Sequence, residues 1–208
     1  QIVFHSNKGA RNQLYIINRD STGRAQLTSG EAQNSQPDVS PDGRKILFVS
    51  LRPRAGYHIY EMNLDLTGEQ RRLTTSSRNE DMPRYAPDRL SFSFLRDEGG
   101  GAKRIYRQLL ADSTGNTAIP LTPVGMNVRS FGVNPDGSML VLTETTMVPS
   151  VGDVTQTQFL NPASGVLLPI RLAAGEQLAA PTFRPATAAS SAAPTSAPAP
   201  ATPTPGAP

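Results

Sequence analysis

The chain of 208 residues has room for one domain of ordinary size plus a tail, contains no cysteine and carries a formal charge of +3. Without cysteine there is neither a disulfide framework nor a thiolate metal site, although the compartment stays open because many envelope proteins also lack disulfides. The basic residues are scattered, which argues against nucleic acid, and no apolar stretch approaches the roughly 18 residues of a membrane span.

Taken in order, the chain reads as short strands. It starts directly on one, QIVFHS at 1–6, followed by QLYIIN at 13–18 and AQLT at 25–28. At 36–50 comes QPDVSPDGRKILFVS, a tight turn that runs straight into an apolar strand. Proline presets φ near −65° for the second position of a type I turn, aspartate suits the third, and glycine takes the left-handed conformation that returns the hairpin in register. The ILFVS run at 46–50 is continuously apolar until its final serine. A half-buried strand alternates, so a continuous run implies cover on both faces. HIYEMN at 58–63 and RRLT at 71–74 complete a unit.

The unit then recurs. The turn prolines stand at Pro41, Pro87 and Pro135, with a degenerate fourth at Pro185, in steps of 46, 48 and 50 residues. SFSFL at 91–95 and LVLTE at 140–144 repeat ILFVS, RIYRQL at 104–109 repeats HIYEMN, and IPLT at 119–122 repeats RRLT. With 19 prolines and 17 glycines spread along the chain, no window carries a helical stripe. Four-stranded units of this length cannot bury their own faces. They stack around an axis, so the expected fold is all-β, a β-propeller of about four repeats with units near 1–35, 36–81, 82–129 and 130–185.

These residues resemble the WD40-like PD40 repeat of TolB-type propellers. Pro37, Ser40, Pro41, Asp42, Gly43, Arg44, Ile46, Phe48 and Ser50 match its turn and second strand, and Ile59, Tyr60, Arg72, Leu73 and Thr74 match its later strands. The resemblance covers about residues 1–185. It implies a propeller that recognises a partner, in a periplasmic or extracellular setting; similar repeats also occur in the non-catalytic propellers of prolyl-oligopeptidase-like peptidases. Arg89 stands where the turn glycine is expected, so either the turn changes type or this residue is strained by on the order of 1 kcal/mol. The fourth unit replaces the Ile-Tyr signature by TQTQFLN at 155–161. PTFR at 181–184 is expected to complete the sheet that QIVFHS opens, as the resemblance implies, and the abrupt start favours a piece of a larger, six-bladed ring. Residues 186–208, built from Ala, Pro, Thr, Ser and one Gly, cannot bury enough surface to offset ordering entropy and are expected to be a disordered tail.

Chemistry is sparse. The two histidines, His5 and His58, fall on strands, and no G-x-S-x-G elbow accompanies them. EGGGAKR at 98–104 lacks phosphate-loop spacing and reads as a hairpin loop. No catalytic residue, metal site or cofactor is expected, and the chain is expected to be a non-enzymatic monomer that contacts no nucleic acid and does not insert in a membrane. What remains is recognition by loops. SLRPRAGYH at 50–58 and RDEGGGAKR at 96–104 occupy equivalent places, and their Arg52, Arg54, Tyr57, Arg96, Lys103 and Arg104 are the candidate contacts to a protein partner or extracellular ligand. The alternatives are a substrate-gating propeller of a peptidase and a carbohydrate-binding propeller.

Overall fold

The computed structural model of the protein describes residues 1–112, 114, 115 and 117–170. The expected closing strand at 181–184 and the expected tail at 186–208 lie outside the described residues. Fifteen strands form four antiparallel sheets, and no helix occurs among the described residues.

The first sheet has three strands, β1 (Ile2–Ser6), β2 (Gln13–Ile17) and β3 (Ala25–Gln26). The second runs β4 (Gln33–Val39), β5 (Lys45–Arg52), β6 (Gly56–Asn63), β7 (Arg71–Arg72), and the third β8 (Glu80–Tyr85), β9 (Ser91–Gly99), β10 (Ala102–Leu109), β11 (Ile119–Pro120). The fourth is β12 (Val128–Val133), β13 (Leu140–Val148), β14 (Gly152–Leu160), β15 (Leu167–Pro169). Each four-stranded sheet is a meander in sequence order, and the first matches the same plan from its second strand onward.

The continuous apolar run does what its pattern demands. Ile46 and Phe48 lie in a cluster with Leu14, Ile16 and Leu27 of the first sheet, whereas Leu47 and Val49 lie in another with Phe92, Phe94 and Tyr85 of the third. All four are buried. Successive side chains of a strand point to opposite faces, so one strand supplies two cores. A third cluster, containing Leu95, Ile105, Leu140 and Leu142, joins the third sheet to the fourth in the same way.

The Pro-Asp-Gly segment is a turn with its aspartate as a brace. The Gly43 N–H donates to the Ser40 carbonyl at 2.8 Å, and Ser40 N–H closes the hairpin on the Lys45 carbonyl at 2.8 Å. Asp42 accepts from the Ser40 hydroxyl at 2.7 Å and from the Arg44 N–H at 3.1 Å. The Ser40 hydroxyl bond, then the Arg44 N–H, hold this carboxyl below the ordinary range. Gly43 and Gly137 have φ of 70° and 75°, and Arg89 adopts 59° at the matching position. The third unit therefore keeps the turn, and Arg89 takes the strain.

A second repeated device sits at the outer strands. The Thr28, Thr74 and Thr122 hydroxyls accept from the backbone N–H of Leu14, Ile59 and Ile105 at 2.9, 3.0 and 3.1 Å. The adjoining Leu27, Leu73 and Leu121 N–H groups donate to the carbonyls of those same three residues. The Leu-Thr pair thus extends the sheet by one side-chain bond after the two-residue strand has ended, and so satisfies the N–H groups of Leu14, Ile59 and Ile105.

Loop aspartates form a third device that the sequence also carries. Asp-x-Thr-Gly recurs at 20–23, 65–68 and 112–115. In each, one aspartate oxygen accepts both the N–H and the hydroxyl of the threonine two residues on, as Asp65 does from Thr67 at 2.9 and 2.6 Å. These turns lie at the same end of the sheets as the Pro-Asp turns, because the strands antiparallel to one another bring both connections there.

Two substitutions check the double burial. Phe48→Leu and Leu47→Val are each expected to lower unfolding stability by about 1 kcal/mol. Although adjacent in sequence, they act on separate cores, so the double variant should equal the sum within about 0.5 kcal/mol; chemical denaturation of the four proteins measures it. A third variant, Thr74→Val, keeps shape but strands the Ile59 N–H, and a loss of about 1–3 kcal/mol is expected in the same experiment.

Candidate functional site

The end of the sheets opposite the Pro-Asp turns carries the β5–β6 and β9–β10 hairpins. Both are longer and tighter than the expected loops. Pairing in the second sheet runs out to Arg52 opposite Gly56, and in the third to Gly99 opposite Ala102, with a bulge at Ala102–Lys103. Arg52, Tyr57, Arg96, Lys103 and Arg104 are therefore strand residues, and only Arg54 sits on a turn. Glycine makes this possible. Gly56 has φ of 77°, and a Cβ there would stand 3.1 Å from the Asn79 Oδ1. Asn79 also accepts the Tyr57 N–H at 3.1 Å, tying the hairpin to the connection that enters the third sheet.

Beneath the tips lies a buried charged network. His58 on β6 places Nδ1 3.1 Å from Glu80 Oε2 on β8, while its Nε2 meets the Ala55 carbonyl. Arg96 on β9 grips the other carboxylate oxygen, Oε1, through Nε at 2.9 Å and a terminal nitrogen at 2.8 Å. The His58 and Glu80 side chains are essentially closed to solvent. Three strands from two sheets meet in this one contact.

The candidate cations are mostly committed inside the protein. The Arg96 guanidinium, besides holding Glu80, lies 4.3 Å over the Tyr106 ring. Lys103 pairs with Asp81. Arg104 donates through Nε to the Thr122 carbonyl at 2.8 Å. Arg52 packs 4.1 Å over Tyr60 and donates to Gln70 Oε1 at 2.7 Å. That leaves two candidates facing outward, Arg54 with φ of 64° and Tyr57, 41% exposed. Of the six, the structure brings Arg54 and Tyr57 together on one hairpin, while the other four serve as its supports and those of its neighbour.

Sequence reasoning passed over Glu80, which organises the network. A signal was present: the equivalent inner-strand positions hold Asn34 and Val128, so a carboxylate at 80 departs from its own repeat. His58 was placed on a strand, as found, and His5 lies exposed on β1. The EGGGAKR segment forms the β9–β10 reversal, with Gly99, Gly100 and Gly101 all at positive φ. Among the described residues, no group of three or more His, Cys, Asp or Glu is placed to hold a metal ion, and no helix is long and apolar enough to cross a membrane.

Inner strands are laced in sequence as well as packed. Gln36 Oε1 accepts the Met82 N–H at 2.7 Å, and Asp38 Oδ2 accepts the Tyr85 N–H at 2.8 Å, both from β4 to β8. Gln36 lies within the bulge of the β4–β5 ladder and Met82 within that of the β8–β9 ladder. Burial raises the Asp38 carboxyl above its ordinary range, partly offset by the Tyr85 N–H and by Arg84.

The fold is similar to that of propellers of known structure. The structure of TolB from Acinetobacter baumannii superposes with a TM-score of 0.65 and 26% identity over 82% of this chain and 41% of that one. The chain has a TolB-like β-propeller fold. A putative TolB from Agrobacterium tumefaciens gives a TM-score of 0.68 at 19% identity, covering 80% of this chain and 59% of that one. A puromycin hydrolase gives 0.65 at 16% identity, covering 87% of this chain and 30% of that one. The chain thus spans about half the length of the two TolB structures, and the distant likenesses speak to fold alone. No protein-family model matches the sequence.

For the buried network the expectation is structural. Arg96→Met leaves a buried carboxylate short of its main partner and should cost about 3 kcal/mol, while Arg54→Met should change stability by less than about 0.5 kcal/mol. Thermal unfolding of the two variants separates a support from a surface residue.

Proposed function

We propose that this TolB-like propeller is a non-enzymatic recognition scaffold of the bacterial cell envelope, and that it binds a protein partner through its hairpin end. The observation that carries the reading is the outward pair Arg54 and Tyr57, mounted over the closed His58–Glu80–Arg96 contact. Arginine and tyrosine are enriched among residues that dominate binding energy at protein interfaces. A tip held by the buried Glu80–Arg96 ion pair and the His58 contact loses little freedom when a partner settles on it, which is the main way preorganisation raises affinity. The envelope setting rests on the likeness to TolB structures.

The test is capture of a partner. Site-specific crosslinking from the β5–β6 hairpin in envelope fractions should trap a defined protein with the unaltered chain, and the Arg54→Ala, Tyr57→Ala double variant should lose it at an unchanged melting temperature. Equal capture by both would overturn the assignment of this surface. The competing reading, a substrate-gating peptidase propeller, draws on the likeness to puromycin hydrolase; a hydrolase domain with a G-x-S-x-G elbow in the same coding sequence would favour it.

A further inference from the structure

At the opposite end, between the second and third sheets, a cleft of about 520 Å³ opens beside the Pro-Asp turns. Its size falls within the range of roughly 300–1,000 Å³ typical of ligand sites. On its floor the Glu61 carboxylate, almost wholly buried, accepts three donors. Lys45 Nζ and an Arg71 terminal nitrogen both meet Oε2 at 3.1 Å, and the Tyr85 hydroxyl donates to Oε1 at 3.2 Å. Burial, then the adjoining Glu61, push the Tyr85 hydroxyl upward, so it remains a proton donor across the physiological range.

Three carboxylates and three cations line the cleft, but they are unevenly paired. Asp42 faces Arg89 at 3.5 Å, and Asp88 faces Arg107 at 3.3 Å. Lys45 and Arg71 are left to share the single carboxylate of Glu61, and their side chains are 47% and 42% exposed. With Arg107, outside the lining, as the partner of Asp88, the surplus positive charge of the group falls to Lys45 and Arg71. Beside it stand Leu90, 67% exposed, and Leu110, whose carbonyl takes a second bond from Arg71 at 2.9 Å.

The repeat shows that the fold does not require this arrangement. Glu61 lies opposite Arg71 across β6 and β7. In the same register the first sheet pairs Ile16 with Ala25, the third Arg107 with Ile119, and the fourth Phe159 with Leu168. The other three sheets build this outer pair with an apolar partner, two of them with apolar residues alone. A carboxylate bridged by two cations in the second sheet is a departure that its own siblings manage without.

The geometry points to this cleft as a docking site for an acidic segment of a protein partner, one in which a carboxylate side chain stands beside a large apolar one. The carboxylate would take the free donors of Lys45 and Arg71, charge-assisted bonds with a neutralising partner, while the apolar side chain covers Leu90 and Leu110. This rests on the reading of the chain as a recognition scaffold, but uses the end away from Arg54 and Tyr57.

Two capped tetrapeptides test it, acetyl-Glu-Leu-Glu-Leu-amide and acetyl-Lys-Leu-Lys-Leu-amide, with free glutarate as a third probe. NMR titration of the full chain should show the acidic peptide moving the amides of Lys45, Arg71 and Leu110, more weakly at high salt, and the basic peptide leaving them in place. Lys45→Gln, which leaves Glu61 held by Arg71 and Tyr85, should weaken the acidic peptide about tenfold, and Leu90→Ser should weaken it without altering its salt dependence. Equal binding of the two peptides, shifts confined to the hairpin end, or an unaffected Lys45→Gln variant would overturn the site. Glutarate binding as tightly as the acidic peptide would overturn the assignment to a protein segment. The Arg54→Ala, Tyr57→Ala variant should bind the peptide normally, so failure here and failure of the hairpin surface are read separately.

Discussion

Every sheet in this molecule is thin, and none can hide its own faces. The constraint that follows, that faces be covered by neighbouring sheets, is met on both sides by the second and third sheets and governs the rest. It is visible in one strand, where Ile46 and Phe48 complete a core with the first sheet while Leu47 and Val49 complete another with the third. Apolar burial is worth roughly 25 cal/mol per Å², and here it is earned only when sheets stand side by side. Stability is thereby a property of interfaces between repeats, much as in other repeat architectures.

Polar groups obey the same constraint. A short outer strand would strand buried N–H groups at its end, and the repeated threonine hydroxyls take them up. The bulge in β8 would do likewise at Met82, whose N–H Gln36 accepts from the neighbouring sheet, and Asp38 accepts that of Tyr85. The charged contacts go further. His58, Glu80 and Arg96 knit two sheets beneath the hairpins, and Glu61 gathers Lys45, Arg71 and Tyr85 at the other end. Buried ion pairs are weak stabilisers overall and strongly punish removal of one partner, so their effect is to hold sheets in one relative placement. The recognition proposed at either end depends on that placement.

Similarity to both TolB structures and a puromycin hydrolase illustrates how little a propeller says about task. Differences among this chain's own repeats say more. Glu80 stands where its siblings have Asn34 and Val128, and the Glu61–Arg71 pair stands where two of them have only apolar side chains. Such departures within one chain mark residues that the common framework does not need.

The sequence by itself determined the strands, their order and the repeat, because a turn of Pro, Asp and Gly and a run of apolar residues are local facts with local causes. Even the strain at Arg89 was legible, since the glycine it replaces recurs at fixed spacing. The Asp-x-Thr-Gly loops were equally legible and were overlooked. What only the tertiary structure decided is which charges are free. Arg96, Lys103 and Arg104 look in sequence like a binding loop, yet Glu80, Asp81 and the Thr122 carbonyl hold them. Their partners lie 16 to 22 residues away, on other strands of the same sheet or in the connection that follows it. Pairing across a sheet is set by register and by the approach of neighbouring sheets, and neither is written in the spacing of the residues concerned.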